Sequence, residues 1–285
     1  MDKHALHVGE LTARYGKRTV LDQLTLAPVS PGTIVGLLGP NGVGKSTLLR
    51  ALARLVPARG HAALGPLDLL RGSRSDHMRQ VGYLPQILPQ PSSLLTYEAV
   101  RSALNATCRD LSNLEREARL QRVFGRLHLY PLAMTALERL SGGQRQMVGL
   151  AQVLVRDTSL LLLDEPTSAL DLRWQLLALE AVREAARGRE AIALIAMHDL
   201  NLAARFCDRL VLLGSDGLVA DGAPGEVLTA RHLRRAYCVE ARIERTAAGE
   251  CIALAERAVL EGNPVGHDAR EHRSAMELPR GVDLS

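Results

Sequence analysis

One glycine-rich stretch carries the strongest chemical signal in this sequence. Its residues are Gly39, Pro40, Asn41, Gly42, Val43, Gly44, Lys45, Ser46 and Thr47. They match the pattern G-x-x-x-x-G-K-[ST], in which backbone N–H groups turn toward phosphate oxygens. Lys45 adds a positive charge for the β- and γ-phosphates, and the Ser46 hydroxyl can bind Mg²⁺. An apolar run (33–38) precedes the stretch and helical spacing (46–55) follows it, so a helix N-terminus faces the anion. This order predicts a binding site for a nucleoside triphosphate.

A second candidate site follows the apolar run Leu160–Leu163, which ends in Asp164 and Glu165. Such a run predicts a buried strand, and open α/β sheets bind ligands beyond the carboxyl ends of their strands. We therefore expect Asp164 to hold Mg²⁺ and Glu165 to orient or deprotonate the attacking water. Taken alone, an apolar strand ending in Asp-Glu is more often a solvated edge. The phosphate loop upstream favours the catalytic interpretation.

A third motif, Leu140-Ser141-Gly142-Gly143-Gln144, lies about twenty residues before Asp164. This motif resembles the signature of the ATP-binding subunits of ABC transporters, and it lies between the two nucleotide motifs. The resemblance to that family covers about residues 4–240. A serine and two glycines at a helix N-terminus form an anion-binding end. In that family this end caps the γ-phosphate of ATP bound to the other protomer of a head-to-tail dimer. The resemblance thus implies a homodimer in which Ser141, Gly142, Gly143 and Gln144 act in trans.

The same resemblance implies roles for residues outside these motifs. Tyr15 matches the aromatic residue that stacks on adenine, and Gln86 matches the glutamine that senses Mg²⁺ and the attacking water. Ser168 and Asp171 match the loop that contacts the dimer partner, and His198 matches the histidine that contacts the γ-phosphate. By themselves, a turn tyrosine and a histidine at a strand end are more often structural.

The order of elements predicts how these residues are positioned. The first thirty residues favour antiparallel strands, and the second half of the chain alternates strands with helices, which is typical of a mainly parallel sheet. We expect an α/β fold: a P-loop NTPase core with an N-terminal antiparallel β-subdomain and an inserted helical subdomain. The expected boundaries are an ABC ATPase domain over 1–240 with its helical insertion at about 87–139, a C-terminal hairpin at 241–261 and a loose tail at 262–285.

The composition excludes several classes of protein. The chain has 285 residues, a formal net charge of +4, 47% apolar and 23% charged residues, values typical of a globular protein. The longest apolar run, 191–197, is far shorter than the roughly 20 residues of a membrane-spanning helix. Only 3% of residues are aromatic, which argues against a base-stacking surface. Four well-separated cysteines without metal-ligand spacing favour reduced thiols in the cytoplasm.

The resemblance implies an ATP-hydrolysing subunit that uses ATP and Mg²⁺ and powers import through a separate membrane permease. We expect it to lie peripherally on the cytoplasmic face of the inner membrane, with an extracytoplasmic substrate-binding protein acting through the permease. The stretches 81–86, 168–173 and 197–203 resemble the subgroup that imports iron–siderophore complexes, haem or cobalamin.

Two other functions stay open at this point. A soluble ABC ATPase that acts on ribosomes or DNA is the main alternative, and a binding role without catalysis is the other. The chain carries one set of motifs and an insertion without sustained heptads, which favours the importer. We therefore expect no nucleic-acid partner.

Overall fold

The computed structural model describes residues 4–108, 110–247 and 249–259. Its strands are β1 (Leu6–Tyr15), β2 (Arg18–Val29), β3 (Ile34–Leu38), β4 (Ala58–Leu64), β5 (Leu67–Asp68), β6 (Val81–Leu84), β7 (Leu160–Asp164), β8 (Ile192–Ala196), β9 (Arg209–Gly214), β10 (Gly217–Gly222), β11 (Val239–Arg245) and β12 (Cys251–Ala258). Its α-helices are α1 (Lys45–Leu52), α2 (Arg74–Gln80), α3 (Thr96–Thr107), α4 (Asn113–Arg126), α5 (Gly142–Leu154), α6 (Leu172–Arg189), α7 (Leu200–Phe206), α8 (Pro224–Val227) and α9 (Ala230–Tyr237). Two 3₁₀ turns span Tyr130–Leu132 and Leu137–Arg139.

The large sheet has the strand order β10-β9-β3-β8-β7-β6. Strands β9, β3, β8, β7 and β6 run parallel, and β10 pairs antiparallel with β9. Because carboxyl ends of parallel strands meet at one edge, the segments after β3, β6, β7 and β8 come together there. The predicted α/β fold with a mainly parallel sheet is confirmed.

Both faces of this sheet are covered, which explains the uninterrupted apolar strands. Every residue of β3, β7 and β8 is buried. On β7, Leu160 and Leu162 pack toward α1 and the N-terminal strands, whereas Leu161 and Leu163 pack toward α5 and α6. A strand buried on both faces cannot alternate apolar with polar residues, so its sequence is a continuous apolar run.

A separate antiparallel sheet, in the order β2-β1-β4-β5, forms the N-terminal β-subdomain. The predicted strands β1 and β2 are present, but β4 and β5 were not recognised in the sequence. Helix α1 also ends earlier than the helical spacing to residue 55 suggested. Its C-cap is Ala53, and Arg54 takes a left-handed φ of 59°, which stops the helix.

The chain between β6 and β7 forms a helical layer beside the large sheet. Among its described residues, 87–139 contains α3, α4 and the two 3₁₀ turns, with Phe124 almost fully buried at the centre. Arg119 of α4 reaches Asp157 at 2.9 Å, next to the end of α5. This ion pair ties the helical layer to the sheet core.

The C-terminal unit, residues 223–258, comprises α8, α9 and the antiparallel pair β11–β12. The basic segment 231–235 lies within α9, which buries Leu233 and Ala236. The pair runs from Val239 to Ala258, so it begins two residues before the expected hairpin at 241–261. The predicted tail, 262–285, lies outside the described residues.

Candidate functional site

The phosphate loop joins β3 to α1 and owes its shape to glycines at strained positions. Gly39 has φ 141°, and a Cβ there would lie 2.4 Å from the carbonyl oxygen of Leu213. Gly44 has φ 113°, and a Cβ there would lie 2.5 Å from a methyl group of Leu21. No other residue type fits either position without a shift of the surrounding chain. The loop therefore curls over the N-terminus of α1.

The Lys45 ammonium group lies across this loop. Its Nζ donates to the carbonyl oxygen of Gly39 at 2.5 Å and to that of Pro40 at 2.9 Å. Burial lowers the pKa of Lys45, and the nearby carboxylates of Glu165 and Asp164 act in the opposite direction. The cation is thus held by the loop's own carbonyl groups, at the position where phosphate oxygens would approach.

Asp164 and Ser46 meet at the carboxyl end of β7. The Ser46 hydroxyl donates to Asp164 Oδ1 at 2.7 Å. Oδ2 is buried, accepts no hydrogen bond from the described residues, and lies 3.9 Å from Arg50 Nη2. Burial raises the pKa of Asp164. A buried carboxylate oxygen without a hydrogen bond, beside a hydroxyl, fits a hard divalent cation such as Mg²⁺.

Glu165 is the centre of the second cluster. Its Oε2 accepts a hydrogen bond from Gln86 Nε2 at 2.8 Å, and its Oε1 lies 2.5 Å from His198 Nε2. Gln86 follows β6 and His198 follows β8, the strands on either side of β7. The sheet therefore brings together three side chains that are far apart in sequence.

The backbone of Glu165 takes an unusual conformation. Its φ is 53°, in the left-handed region that costs a non-glycine residue about 1–3 kcal/mol. The Glu165 N–H donates to the Ala196 carbonyl at 3.2 Å. The Glu165 carbonyl accepts from the Ser168 hydroxyl at 3.1 Å and faces Gln146 Nε2 at 3.5 Å. No sequence motif indicates a role for Gln146, and the family resemblance implies for Ser168 only a contact with a partner chain.

The signature segment forms the capped start of α5. Gln144 N donates to the Ser141 hydroxyl at 3.2 Å, and Ser141 N donates to Gln144 Oε1 at 2.9 Å, which is a capping box. A Cβ at Gly142 would meet open space, whereas a Cβ at Gly143 would lie 3.0 Å from the Ala169 carbonyl oxygen. Ser141 and Gly142 are exposed.

A cavity of about 330 Å³ lies over the phosphate loop. Its lining consists of Asn41, Gly42, Gly44, Lys45, Ser46, Thr47, Gln86, Glu165 and His198. Tyr15 and the signature segment do not contribute to this lining. The phosphate loop, Gln86, Glu165 and His198 therefore share one cavity, whereas Tyr15 and the signature segment lie outside it.

Tyr15 and Asp171 each have a place outside the cavity. Tyr15 ends β1, is 44% exposed, and shares the neighbourhood of the Arg50 guanidinium with Tyr83. The hydrogen bond from Arg50 Nε to the Tyr83 hydroxyl, at 3.4 Å, raises the pKa of Arg50. Asp171 caps α6, where its Oδ1 accepts from Trp174 N at 3.1 Å. The sequence offered no signal for Arg50, which stands one turn of α1 after Ser46.

Comparison with known proteins gives consistent results. The model of the ABC transporter family matches residues 21–168. The hemin import ATP-binding protein HmuV of Bordetella avium is 38% identical over 251 residues, with 84% of this chain and 94% of that protein covered. The ferric enterobactin transport ATP-binding protein FepC of Escherichia coli is 36% identical, with 80% and 85% covered.

A solved ATP-binding subunit of an ABC transporter superposes with a TM-score of 0.71, at 28% identity over 81% of this chain and 94% of that chain. The family match spans the phosphate loop, the signature segment and Asp164–Glu165. The chain therefore belongs to the ABC transporter family and is an ATP-hydrolysing subunit of that family.

Proposed function

We propose that this chain hydrolyses ATP as a head-to-tail homodimer and thereby powers import of an iron–siderophore complex, haem or cobalamin through a separate membrane permease. The observation that carries the proposal is the Gln86–Glu165–His198 cluster, which faces the phosphate loop, while the signature segment lies exposed outside the cavity.

The cluster supplies the groups that hydrolysis requires. The Glu165 carboxylate is positioned to orient the attacking water and accept its proton, a role typically worth 10²–10⁴-fold in rate. The Gln86 amide and the His198 imidazole hold that carboxylate from two sides. Lys45 and the N-terminus of α1 stabilise negative charge on the β- and γ-phosphates.

Ser46, Asp164 and Gln86 would hold Mg²⁺, as the buried Oδ2 of Asp164 supports. The cation would supply neutralisation of phosphate charge. Tyr15, at the exposed end of β1, is proposed to stack on adenine.

The signature segment supports the dimer. The α5 N-terminus is an exposed anion-binding end with open space at Gly142. In a head-to-tail dimer Ser141, Gly142, Gly143 and Gln144 would cap the γ-phosphate of the partner, and Ser168 and Asp171 would lie at the contact.

A groove beside Gln86 supports docking of a permease. Pro85, Leu88, Pro89 and the α3 face around Ala103 line it, with a volume of about 440 Å³. Met78 at its rim is 44% exposed. Exposed apolar residues in a groove are typical of a protein–protein contact.

No helix in the described part of the chain is long and apolar enough to span a bilayer. We place the protein on the cytoplasmic face of the inner membrane, bound to its permease and reached by a substrate-binding protein only through it.

The relatives favour an iron complex as cargo. The Bordetella protein is named for hemin import and the Escherichia coli protein for ferric enterobactin transport. Iron–siderophore complexes, haem and cobalamin are the proposed cargo class.

Mixing two inactive variants tests the catalytic dimer. Lys45→Ala removes the charge that faces the phosphates, and Ser141→Arg fills the space where the partner's γ-phosphate docks. In a mixed dimer one composite site carries both lesions and the other carries neither. We expect ATP turnover to reappear on mixing, with phosphate release as the measurement. Normal ATP turnover by the Ser141→Arg protein alone would contradict the head-to-tail arrangement.

Co-expression with the cognate permease tests the transport role. Met78→Asp should reduce binding to the permease and uptake of iron complex while leaving basal hydrolysis unchanged. Leu114→Asp, at an exposed apolar residue of α4 outside the groove lining, is the matched control. Recovery of the chain with ribosomes or DNA and not with a permease would favour the soluble alternative.

A further inference from the structure

The last residue of α9 touches the phosphate loop. The Gly39 N–H donates to the Tyr237 hydroxyl at 2.8 Å, across 198 positions of sequence. Gly39 is the first residue of the loop, and its N–H faces α9. Its carbonyl oxygen accepts the hydrogen bond from Lys45 Nζ. The two backbone groups of Gly39 therefore link the Tyr237 hydroxyl to the Lys45 ammonium group.

The approach of α9 to the loop is close and fully packed. A Cβ at Gly39 would meet the Leu213 carbonyl, and a Cβ at the next residue of β9, Gly214, would lie 3.6 Å from the Ala236 Cα. The end of β9 is thus sandwiched between the phosphate loop and the last turn of α9. Because protein interiors transmit small displacements, a shift of α9 would move Gly39.

The Tyr237 hydroxyl is a constant partner over the physiological pH range. Burial raises the pKa of Tyr237 to about 12, so the phenol stays neutral and its oxygen accepts the Gly39 hydrogen bond. An N–H group left without this acceptor in a packed interior is costly. Loss of the hydroxyl would therefore loosen Gly39 rather than simply remove one contact.

Two hydrogen bonds also hold the C-terminal unit against α7. Asn201, in the first turn of α7, accepts a hydrogen bond from Ala253 N at 2.8 Å and donates to the Ala253 carbonyl at 3.3 Å. Helix α7 begins two residues after His198. The hairpin is therefore attached to the helix that follows the histidine, and α9 reaches the phosphate loop from the same unit.

We infer that Tyr237 is a positioning residue for the phosphate loop, through which the C-terminal unit sets the affinity for nucleotide. This rests on the proposed role of Gly39–Thr47 as the ATP phosphate site. Tyr237 is not among the residues that line the cavity, so it acts through Gly39 and Lys45. Helices α8 and α9 and the β11–β12 pair thus contribute to the nucleotide site, although no nucleotide motif lies there.

Tyr237→Phe tests this inference because it removes only the hydroxyl. We expect the Kd for Mg-ADP, measured by calorimetry on the full chain, to rise about 5- to 10-fold, as loss of one buried hydrogen bond implies. The KM for ATP should rise in parallel while kcat stays within about twofold, since saturation with nucleotide restores the loop. Asn201→Ala removes the two hydrogen bonds between α7 and Ala253 without altering Tyr237, and it should raise the same Kd about two- to threefold.

Tyr130→Phe is the matched control. The Tyr130 hydroxyl also bonds one backbone group, the Gln121 carbonyl at 3.1 Å, but it lies in the helical layer. Its loss should leave Kd and KM unchanged. Wild-type Kd and KM in Tyr237→Phe, or a fall in kcat alone, would overturn the inference. Lys45→Ala separates this from the proposed function: normal nucleotide binding in that variant would refute the phosphate site itself.

Discussion

The phosphate loop and the signature segment are both glycine-rich helix starts, yet their glycines differ in backbone conformation and in packing. Gly39 and Gly44 have positive φ and would clash with Leu213 and Leu21 if they carried a Cβ. Gly142 has no atom within 4 Å of its ideal Cβ. The glycines of the first segment are required by this chain's own packing. The packing of the described residues does not require the glycine at the start of α5, and in the proposed dimer the partner's nucleotide would approach it closely.

Burial separates the two regions in the same way. Lys45, Asp164 and Glu165 are 5%, 0% and 9% exposed, whereas Ser141 and Gly142 face solvent. Buried charged groups are expensive unless they are paired, and these are held by loop carbonyls, the Ser46 hydroxyl and the Gln86 amide. The charged groups at the phosphate loop are therefore held by contacts within the chain, whereas the start of α5 is open to solvent.

Ser141→Arg should cause the largest change. We expect ATP turnover to be lost while Mg-ATP still binds the phosphate loop, because the added side chain fills the space for the partner's γ-phosphate. Ser112 is the matched control, since it caps α4 with the same capping box through Glu115. Ser112→Arg also loses a cap, worth about 1 kcal/mol, but should keep its turnover. Equal turnover in the two variants would remove the distinction between the regions.

Glu165→Gln should lower turnover by about 10²-fold or more, because the amide cannot accept the proton from water. ATP binding should persist, and the variant should accumulate as a closed dimer with ATP. Glu180→Gln, at an exposed position of α6, serves as the control and should match the wild type. Phosphate release at the wild-type rate in Glu165→Gln would show that another group activates the water.

Alanine at the two kinds of glycine probes the packing difference directly. Gly39→Ala should lower the free energy of unfolding by about 1–3 kcal/mol, because φ 141° and the Leu213 carbonyl both exclude a Cβ. Gly142→Ala should leave the stability unchanged or raise it, since alanine is the better helix former. Its turnover should nevertheless fall. Urea unfolding and phosphate release measure the two effects, and a stability loss in Gly142→Ala would contradict the comparison.

Ser168→Ala should have the smallest effect. Ser168 is exposed, yet its hydroxyl donates to the Glu165 carbonyl and helps to hold the left-handed backbone there. One hydrogen bond of this kind is worth about 0.5–1.5 kcal/mol, so kcat should fall about 2- to 10-fold. Ser168→Thr, which retains the hydroxyl, should recover most of the rate. If both variants fell equally, the role of Ser168 would lie only at the dimer contact.

Local patterns in the sequence determined much of this protein. The apolar run before Gly39 and the run before Asp164 predicted buried parallel strands, because a strand covered on both faces needs no polar residues. The spacing of Gly39, Gly44 and Lys45 predicted the loop, since only glycine tolerates its backbone angles. Ser141 and the two glycines after it were expected at a helix N-terminus, and a capping box between Ser141 and Gln144 forms that helix start.

Only the tertiary structure decided the rest, because the contacts join residues distant in sequence. Gln86 and His198 meet at Glu165 through the order of three adjacent strands, and strand order is not written in any local pattern. Strand β4 pairs with β1 and strand β5 pairs with β4, and short-range periodicity does not report such pairing. The Tyr237 hydroxyl reaches Gly39 because α9 packs over the end of β9, a contact that the sequence around either residue does not predict.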